Sequence, residues 1–277
     1  MTELANEELW KTIFAVGHPQ LKSYQRVHRT LPPWQLPRDE CRMCFAPFTG
    51  IGGFLMRRAR GVGRSITNEF WCSRCNSFIR QFPGGAEVEL SMFFVDIRGS
   101  VSIAERLRPA DFSRLMSSFY ATATKTLMED DGFILDLVGD EVMACFPPGF
   151  VGEWHARKAI KAAEDLLKAK PSSPDEESMP FGIGVHTGTV YMGTISGSEG
   201  GIQDVRAMGD NVNVAARLAQ MAGPSEALVS EAALKAANLS CSGLESRQLT
   251  LKGRNEPIAA RVIHHDSLML SAENLAA

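Results

Sequence analysis

FFVDIRGS at residues 93–100 and LVGDEVMA at residues 137–144 are the two most informative stretches of this chain. In each, an apolar run rich in β-branched residues ends at one aspartate, which predicts two strands with a carboxylate at the exit of each. A hard cation such as Mg²⁺ takes one or two such oxygens from a protein and the rest from phosphate and water. Asp96 and Asp140 are therefore candidate metal ligands beside a triphosphate.

Length and composition indicate an ordinary globular protein. A chain of 277 residues holds one sizeable domain plus a small one. The net charge of −3 and pI near 6.1 give no reason to expect a nucleic-acid or membrane-surface partner. The sequence contains no run of about 18 apolar residues, so no membrane span is predicted. The acidic N-terminus lacks the features of a secretory signal. The expected location is the cytoplasm.

Four of the six cysteines form two CxxC pairs, Cys41 with Cys44 and Cys72 with Cys75, separated by 27 residues. Two residues between thiolates let both sulfurs of a turn reach one ion, and two such turns close a tetrahedral site. Zn²⁺ is the leading metal, and an iron–sulfur cluster on the same four thiolates is the alternative. Disulfides are disfavoured in the cytosol.

The sequence predicts four parts. Residues 1–36 contain a short helical pattern and a Pro-rich linker, and residues 37–84 form the four-cysteine module. Seven arginines against one acid lie between positions 41 and 80, which indicates a solvated or docking surface more than an anion site. Residues 85–265 form the main domain, and residues 266–277 form a tail.

The main domain alternates strand and helix. The pattern predicts a strand over 88–97, a helix over 109–128, a hairpin over 132–146, a helix over 154–169, and a strand pair hinged near Thr187-Gly188. The order strand–helix–hairpin–helix–strand predicts an α+β fold with a ferredoxin-like βαββαβ core and extra strands. A small zinc-ribbon-like module is expected to precede it.

Five motifs in residues 88–265 resemble the catalytic domain of class III adenylyl and guanylyl (nucleotide) cyclases. In chain order they are FFVDIRGS, LVGDEVMACF, GIGVHTGTVYMG at 182–193, GDNVNVAARL at 209–218, and LKG at 251–253. Any one of them is weak, but five in register are specific. The resemblance implies a homodimer with active sites shared between protomers. It also implies conversion of a nucleoside triphosphate, ATP by default, to the 3′,5′-cyclic monophosphate and pyrophosphate.

The resemblance also implies the metal ligands. Asp96 and Asp140, with the backbone carbonyl of Ile97, would hold two Mg²⁺ or Mn²⁺ ions. One ion would lower the pKa of the ribose 3′-hydroxyl, and the other would clamp the β- and γ-phosphates.

The remaining roles fall on a predicted helix and a strand edge. Asn213 and Arg217 are four residues apart, so both project from one helix face. By resemblance, Asn213 orients the ribose, and Arg217 stabilises the charge that builds on the α-phosphate. Lys252 matches the triphosphate-binding lysine, and His186 is given a structural role.

Two positions depart from the pattern of adenine-reading members. These carry a lysine four residues before the second metal aspartate, and an aspartate or threonine three before the glycine that opens the helix. Here the two positions are Asp136 and Arg206, so the charges of the nucleobase pocket are exchanged. The donor and acceptor pattern toward a base edge then differs. A pyrimidine nucleotide or GTP is therefore the alternative substrate to ATP.

The sequence disfavours two other classes of function. A catalytically silent nucleotide-binding or redox-sensing signalling protein is disfavoured because the five motif residues, from Asp96 to Lys252, are intact. A nucleic-acid-binding protein that uses the arginine-rich segment is disfavoured by the lack of interleaved aromatic residues and by the acidic overall balance.

Overall fold

The computed structural model describes residues 3–30, 39–169, 179–196, 203–241, 243–250 and 256–265. The helices in this part of the chain are α1 (Glu3–Lys11), α2 (Pro19–Arg29), α3 (Gly50–Arg60), α4 (Ser73–Gln81), α5 (Ser100–Arg106), α6 (Pro109–Glu129), α7 (Pro148–Val151), α8 (His155–Lys168), α9 (Asp210–Met221) and α10 (Glu231–Ala236), with a π-helical turn over Thr12–Val16. Its strands are β1 (Gly85–Ile97), β2 (Phe133–Val138), β3 (Glu141–Phe146), β4 (Phe181–Ser196), β5 (Gln203–Met208), β6 (Glu226–Ser230), β7 (Ser246–Leu249) and β8 (Ile258–His264).

The predicted α+β fold is confirmed. A strand, β1, is followed by helices α5 and α6, the hairpin β2–β3, helix α8 and strand β4, which is the order expected from the sequence. The chain forms two compact units. The first unit comprises Met1–Val88, Pro148–Phe150 and Tyr191–Met208, and the second comprises Glu89–Pro147, Val151–Val190 and Gly209–Ala277.

The second unit is built on a mixed sheet with the strand order β2-β3-β1-β4-β6-β8-β7. Helices α6 and α8 pack against each other and against strands of this sheet. The apolar face of α6 supplies buried Met116, Phe119, Ala123 and Leu127, as its helical spacing predicted. Burial of one such large side chain contributes about 2 kcal/mol, so this face fixes the helix on the sheet.

Strand β4 corrects one prediction. The sequence indicated a strand pair hinged near Thr187-Gly188, but β4 runs unbroken through this point. A Cβ atom at Gly188 would lie 2.6 Å from the Cγ atom of Asn211, at the start of α9. The glycine therefore marks a close approach of a helix to a strand and not a turn.

The first unit surrounds a separate apolar centre. Trp10 and Phe14, on α1 and the π-helical turn, stack with ring centroids 5.7 Å apart, and the Trp10 indole donates to the Phe82 carbonyl at 2.8 Å. Trp71 and Ile79 are also buried here. Helices α2 and α3 were not predicted, and the arginines near position 58 lie on the last turn of α3.

None of the helices in the described part of the chain is long and apolar enough to cross a lipid bilayer.

Candidate active site and thiolate centre

Strands β1 and β3 bring Asp96 and Asp140 to one end of the sheet in the second unit. The two strands pair antiparallel with Asp96 opposite Glu141, and the Ile97 amide donates to the Asp140 carbonyl at 3.1 Å. Gly139 turns the hairpin with φ +62, a conformation that glycine adopts without strain. The three candidate metal ligands Asp96, Ile97 and Asp140 are therefore neighbours.

Side chains from neighbouring elements hold the two carboxylates. The Arg98 guanidinium donates from Nη1 to Asp96 Oδ2 at 2.7 Å, and its Nη2 donates to the Ala219 carbonyl on α9. The Ser100 hydroxyl donates to the Asp140 carboxylate. These contacts tie the carboxylates to α5 and α9.

The turn between β2 and β3 has a separate support from α6. The phenol of Tyr120 donates to the carbonyl of Gly139, the residue just before Asp140. A long helix thus fixes the backbone that carries the second carboxylate.

The site carries an excess of negative charge. Burial raises the pKa of Asp96, Arg98 partly offsets that rise, and the charge of Asp140 adds to it. Burial, followed by the charges of Asp96 and Asp140, raises the pKa of Glu141 from 4.5 to about 7. Glu141 Oε1 is buried and has no hydrogen-bond partner among the described residues. Crowded carboxylate oxygens with an unsatisfied acceptor fit a hard divalent cation.

Helix α9 begins at a buried hydrogen-bonded group. His186 donates from Nε2 to Asn211 Oδ1 at 2.9 Å, and its Nδ1 accepts from the Ser230 hydroxyl at 2.8 Å. The Asn211 amide in turn donates to the Thr189 carbonyl at 2.8 Å. His186 thereby fixes the start of α9.

Asn213 and Arg217 lie on the exposed face of α9. Arg217 donates to Gln220 Oε1 at 2.8 Å. Among the described residues, no hydrogen bond or ion pair joins Asn213 or Arg217 to Asp96 or Asp140. The structure thus places the candidate metal ligands next to one another, and it exposes the side chains of Asn213 and Arg217 to solvent.

The candidate nucleobase residues lie on different strands. Asp136 is on β2 in the second unit, where its Oδ1 accepts from the Leu137 amide at 3.0 Å. Arg206 is on β5 in the first unit, 3.4 Å from the Asp204 carboxylate. Lys252 lies outside the described residues.

The four paired cysteines meet in the first unit. The Sγ atoms of Cys41, Cys44, Cys72 and Cys75 all lie within 4.8 Å of one another, and all four residues are buried. A tetrahedral Zn²⁺ with bonds of about 2.3 Å sets sulfurs roughly 3.8 Å apart, so the donor set fits such an ion. Hydrogen bonds with Cys41 and Cys44 lower the pKa of the Cys72 thiol, whereas hydrogen bonds with Cys41 and Cys72 raise that of Cys44.

Local backbone contacts shape both cysteine turns. The Cys41 amide donates to the Ala46 carbonyl at 2.9 Å, which closes the first turn. Cys72 caps α4, and its Sγ accepts from the Cys75 amide at 3.4 Å. Helix α2 supports the first turn, because His28 Nδ1 donates to the Cys44 carbonyl at 2.6 Å.

Sequence reasoning missed four residues of the carboxylate site. Arg98, Ser100 and Glu141 lie inside the motifs at residues 93–100 and 137–144, so their proximity to the aspartates in sequence was a usable signal. Tyr120 lies 20 residues before Asp140 on a helix, and no local pattern links the two.

Comparison with known proteins identifies what this chain is similar to. Residues 86–263 match the family model of the adenylate and guanylate cyclase catalytic domain. Over 187 residues the chain is 32% identical to an adenylate cyclase of Anabaena cylindrica, an alignment that covers 61% of this chain and 36% of that protein. The chain thus spans about a third of that relative's length.

Two solved structures share the fold. The guanylyl cyclase Cya2 superposes with a TM-score of 0.57 at 19% identity, covering 68% of this chain and 100% of that one. The adenylyl cyclase CyaB from P. aeruginosa superposes with a TM-score of 0.55 at 22% identity, covering 65% of this chain and 95% of that one.

Proposed function

This chain belongs to the adenylate and guanylate cyclase catalytic domain family, and we propose that it converts a nucleoside triphosphate to the 3′,5′-cyclic monophosphate and pyrophosphate. Domains of this class bind a nucleoside triphosphate and use divalent metal ions. The observation that carries the proposal is the adjacency of Asp96 and Asp140, next to Glu141, whose Oε1 atom is buried and has no hydrogen-bond partner among the described residues.

Two Mg²⁺ or Mn²⁺ ions are proposed at the carboxylates of Asp96 and Asp140 and the carbonyl of Ile97. When bound, such ions make the ribose 3′-hydroxyl more acidic and neutralise charge on the phosphates. The protein's own contribution at this point is to hold the Asp96 carboxylate on β1 and the Asp140 carboxylate on the β2–β3 turn, braced by Arg98 and Ser100.

Binding and orientation of the nucleotide are assigned to three other residues. Asn213 would hydrogen-bond the ribose so that its 3′-oxygen faces the α-phosphorus. Arg217 would donate to the α-phosphate oxygens as their charge grows, which stabilises the transition state more than the ground state. Lys252 would bind the triphosphate as a positive charge.

A homodimer with shared sites is proposed from the placement of these groups. Asn213 and Arg217 lie on an exposed helix face and contact neither metal aspartate among the described residues. A second copy of the chain, related by a two-fold axis, would bring this face to the carboxylates of its partner.

ATP is the proposed substrate, since the relative in Anabaena cylindrica is an adenylate cyclase. The exchanged charges at Asp136 and Arg206 keep CTP, UTP and GTP as alternatives. A carboxylate accepts hydrogen bonds from exocyclic amines, which adenine and cytosine carry, so this pair suits ATP or CTP better than UTP.

The four-cysteine centre is proposed to bind Zn²⁺ as a structural clasp. An iron–sulfur cluster with a redox-sensing role is the alternative. Four reduced thiols in one site accord with a cytoplasmic signalling enzyme, because that compartment keeps thiols reduced.

The experiment that tests the proposal is a product assay. Purified protein is incubated with Mg²⁺ or Mn²⁺ and each of the four ribonucleoside triphosphates, and the products are identified by mass. We expect one cyclic monophosphate per pyrophosphate from at least one nucleotide, and none from a sample that contains EDTA. Absence of cyclic product with all four nucleotides and both metals would refute the proposed function.

A further inference from the structure

A line of polar contacts within the first unit connects the four-cysteine centre to Arg206. Trp71, the residue before Cys72, is 1% exposed, and its indole Nε1 donates to Asp204 Oδ1 at 3.2 Å. A buried indole N–H needs an acceptor, so this contact fixes both side chains. Sequence distance hides the contact, because 133 residues separate its partners.

Asp204 contacts Arg206 as well as Trp71. The two residues are two apart on β5, so their side chains share a face of the strand. Asp204 Oδ1 accepts from the Trp71 indole and from the Val205 amide, the latter at 2.9 Å, which orients the carboxylate. Its Oδ2 lies 3.4 Å from Arg206 Nη2. The Asp204 and Arg206 side chains are only 15% and 31% exposed, so the pair is partly shielded from water.

Both cysteine turns set the position of Trp71. The Trp71 carbonyl accepts from the Ser65 amide at 2.8 Å, and the preceding Phe70 carbonyl accepts from the Arg42 amide at 3.1 Å. Arg42 directly follows Cys41, and its guanidinium lies 3.5 Å from the centre of the Phe70 ring. The backbone at Trp71 is therefore hydrogen-bonded next to the first cysteine turn and directly precedes the second.

The β4–β5 hairpin is fixed to the same unit at a second point. The Thr194 amide donates to the Gly84 carbonyl at 2.8 Å, and the Gly84 amide donates to the Thr194 hydroxyl at 2.9 Å. Gly193 pairs with Arg206 across the hairpin, and a Cβ atom there would lie 2.6 Å from the Gly84 carbonyl oxygen. These contacts hold the backbone of the hairpin independently of the Trp71–Asp204 hydrogen bond.

We propose that Trp71 and Asp204 are positioning residues for Arg206, and that the four-cysteine centre sets nucleobase preference through them. This inference rests on the proposed function, in which Arg206 contacts the base. Asp204 aims the guanidinium at one edge of the base, and the indole holds Asp204 in place. A site that hydrogen-bonds one edge rejects mispaired bases strongly, so loss of the indole donor changes the ranking of nucleotides.

The test compares Trp71→Phe with wild type and with Trp154→Phe. The first change removes the indole donor and keeps an aromatic ring, and the second alters a tryptophan that is 48% exposed. Two quantities are measured for all four nucleotides: kcat/KM of the triphosphates, and equilibrium binding of their 3′-deoxy forms, which cannot cyclise. Bound metal is quantified in each protein.

We expect Trp71→Phe to change the ratio of kcat/KM between the best and second nucleotide by threefold or more, with the same shift in 3′-deoxynucleotide binding. Metal content and Trp154→Phe should match wild type. Asp204→Asn keeps an acceptor for the indole and removes the charge beside Arg206, so it should shift the ranking even if Trp71→Phe does not fold. An unchanged ranking in the folded, metal-loaded variants would overturn the inference. Wild type that binds 3′-deoxynucleotides but forms no cyclic product would instead refute the proposed function.

Discussion

The Arg98 guanidinium lies 2.7 Å from the carboxylate of Asp96, measured from Nη1 to Oδ2. Arg98 therefore forms an ion pair with a carboxylate that we propose as a metal ligand. Its positive charge offsets part of the rise in the pKa of Asp96 that burial causes. The charges of Asp140 and Glu141 have no such guanidinium beside them among the described contacts. The remaining negative charge is what a divalent cation would neutralise.

Asp96→Asn and Asp140→Asn should each lower cyclic nucleotide formation by about 100-fold or more at saturating Mn²⁺. Each change removes one charged ligand from a site that needs both, at constant side-chain size. Thermal unfolding should stay close to wild type. Asp165→Asn, on the partly exposed face of α8, serves as the control and should retain full activity. Near-normal turnover by either site variant would contradict the metal assignment.

Tyr120→Phe should raise the Mg²⁺ concentration for half-maximal activity by about fivefold. The phenol holds the Gly139 carbonyl, and one such hydrogen bond contributes about 1 kcal/mol to the position of the turn. A titration of activity against Mg²⁺ at saturating nucleotide measures the effect, with Tyr24→Phe as the matched change in the other unit. A Mg²⁺ titration that superposes on wild type would show that the turn holds Asp140 without the phenol.

Cys72→Ser should abolish stoichiometric metal binding at the thiolate centre and lower the melting temperature by roughly 10 °C. The variant lacks one of four buried ligands, and a structural metal contributes directly to folding. Cys241→Ser, at a cysteine outside the centre, should keep one metal per chain. Colourless protein with one zinc ion per chain would support the structural Zn²⁺ site. Bound iron and visible absorption in anaerobically purified protein would instead support the iron–sulfur cluster.

His155 should make the second unit less stable as the pH falls. Burial lowers the pKa of His155 below its ordinary value of 6.5, and the nearby charge of Glu89 offsets only part of that effect. Below pH 6.5 the unfolded chain therefore binds a proton that the folded state does not, so this contribution is present above pH 6.5 and is lost on acidification. The imidazole Nδ1 lies 3.0 Å from the Ser91 hydroxyl within this buried group.

Urea unfolding at pH 7.5 and pH 5.5 measures this loss. Wild type should lose more of its free energy of unfolding than His155→Gln between the two values. The comparison with the variant cancels other groups that titrate in the range, and His265→Gln controls for an exposed histidine. Equal losses in wild type and His155→Gln would mean that His155 does not drive the dependence.

Much of the second unit follows from local sequence. Asp96 and Asp140 end apolar runs that become β1 and β2, and Gly139 supplies the turn between β2 and β3. These features could be predicted because strand alternation and turn chemistry act over a few residues. The turn predicted at Thr187-Gly188 was wrong because a Thr-Gly pair is locally typical of a turn. The residue at position 188 is instead limited to glycine by the Asn211 side chain, which is distant in sequence.

The remaining features depend on contacts between distant segments. Trp71 and Asp204 are far apart in sequence, and no period or motif connects them. Helix α2 was not predicted, and its hydrogen bond from His28 to the Cys44 carbonyl is a contact that only the folded chain reveals. The side chains of Asn213 and Arg217 could be assigned to one helix face, but the role that we propose for them depends on a second chain, which a single sequence does not reveal.

Mixing two inactive variants tests the shared active site most directly. Asp96→Ala removes a metal ligand, and Arg217→Ala removes the group assigned to the α-phosphate, so each homodimer should be inactive. In a mixed dimer, one site carries both defects and the other carries neither. Random reassortment of equal amounts makes half of the dimers mixed, each with one of two sites intact, so about a quarter of wild-type activity should return. No recovery, despite mixed dimers demonstrated by mass, would contradict the shared site.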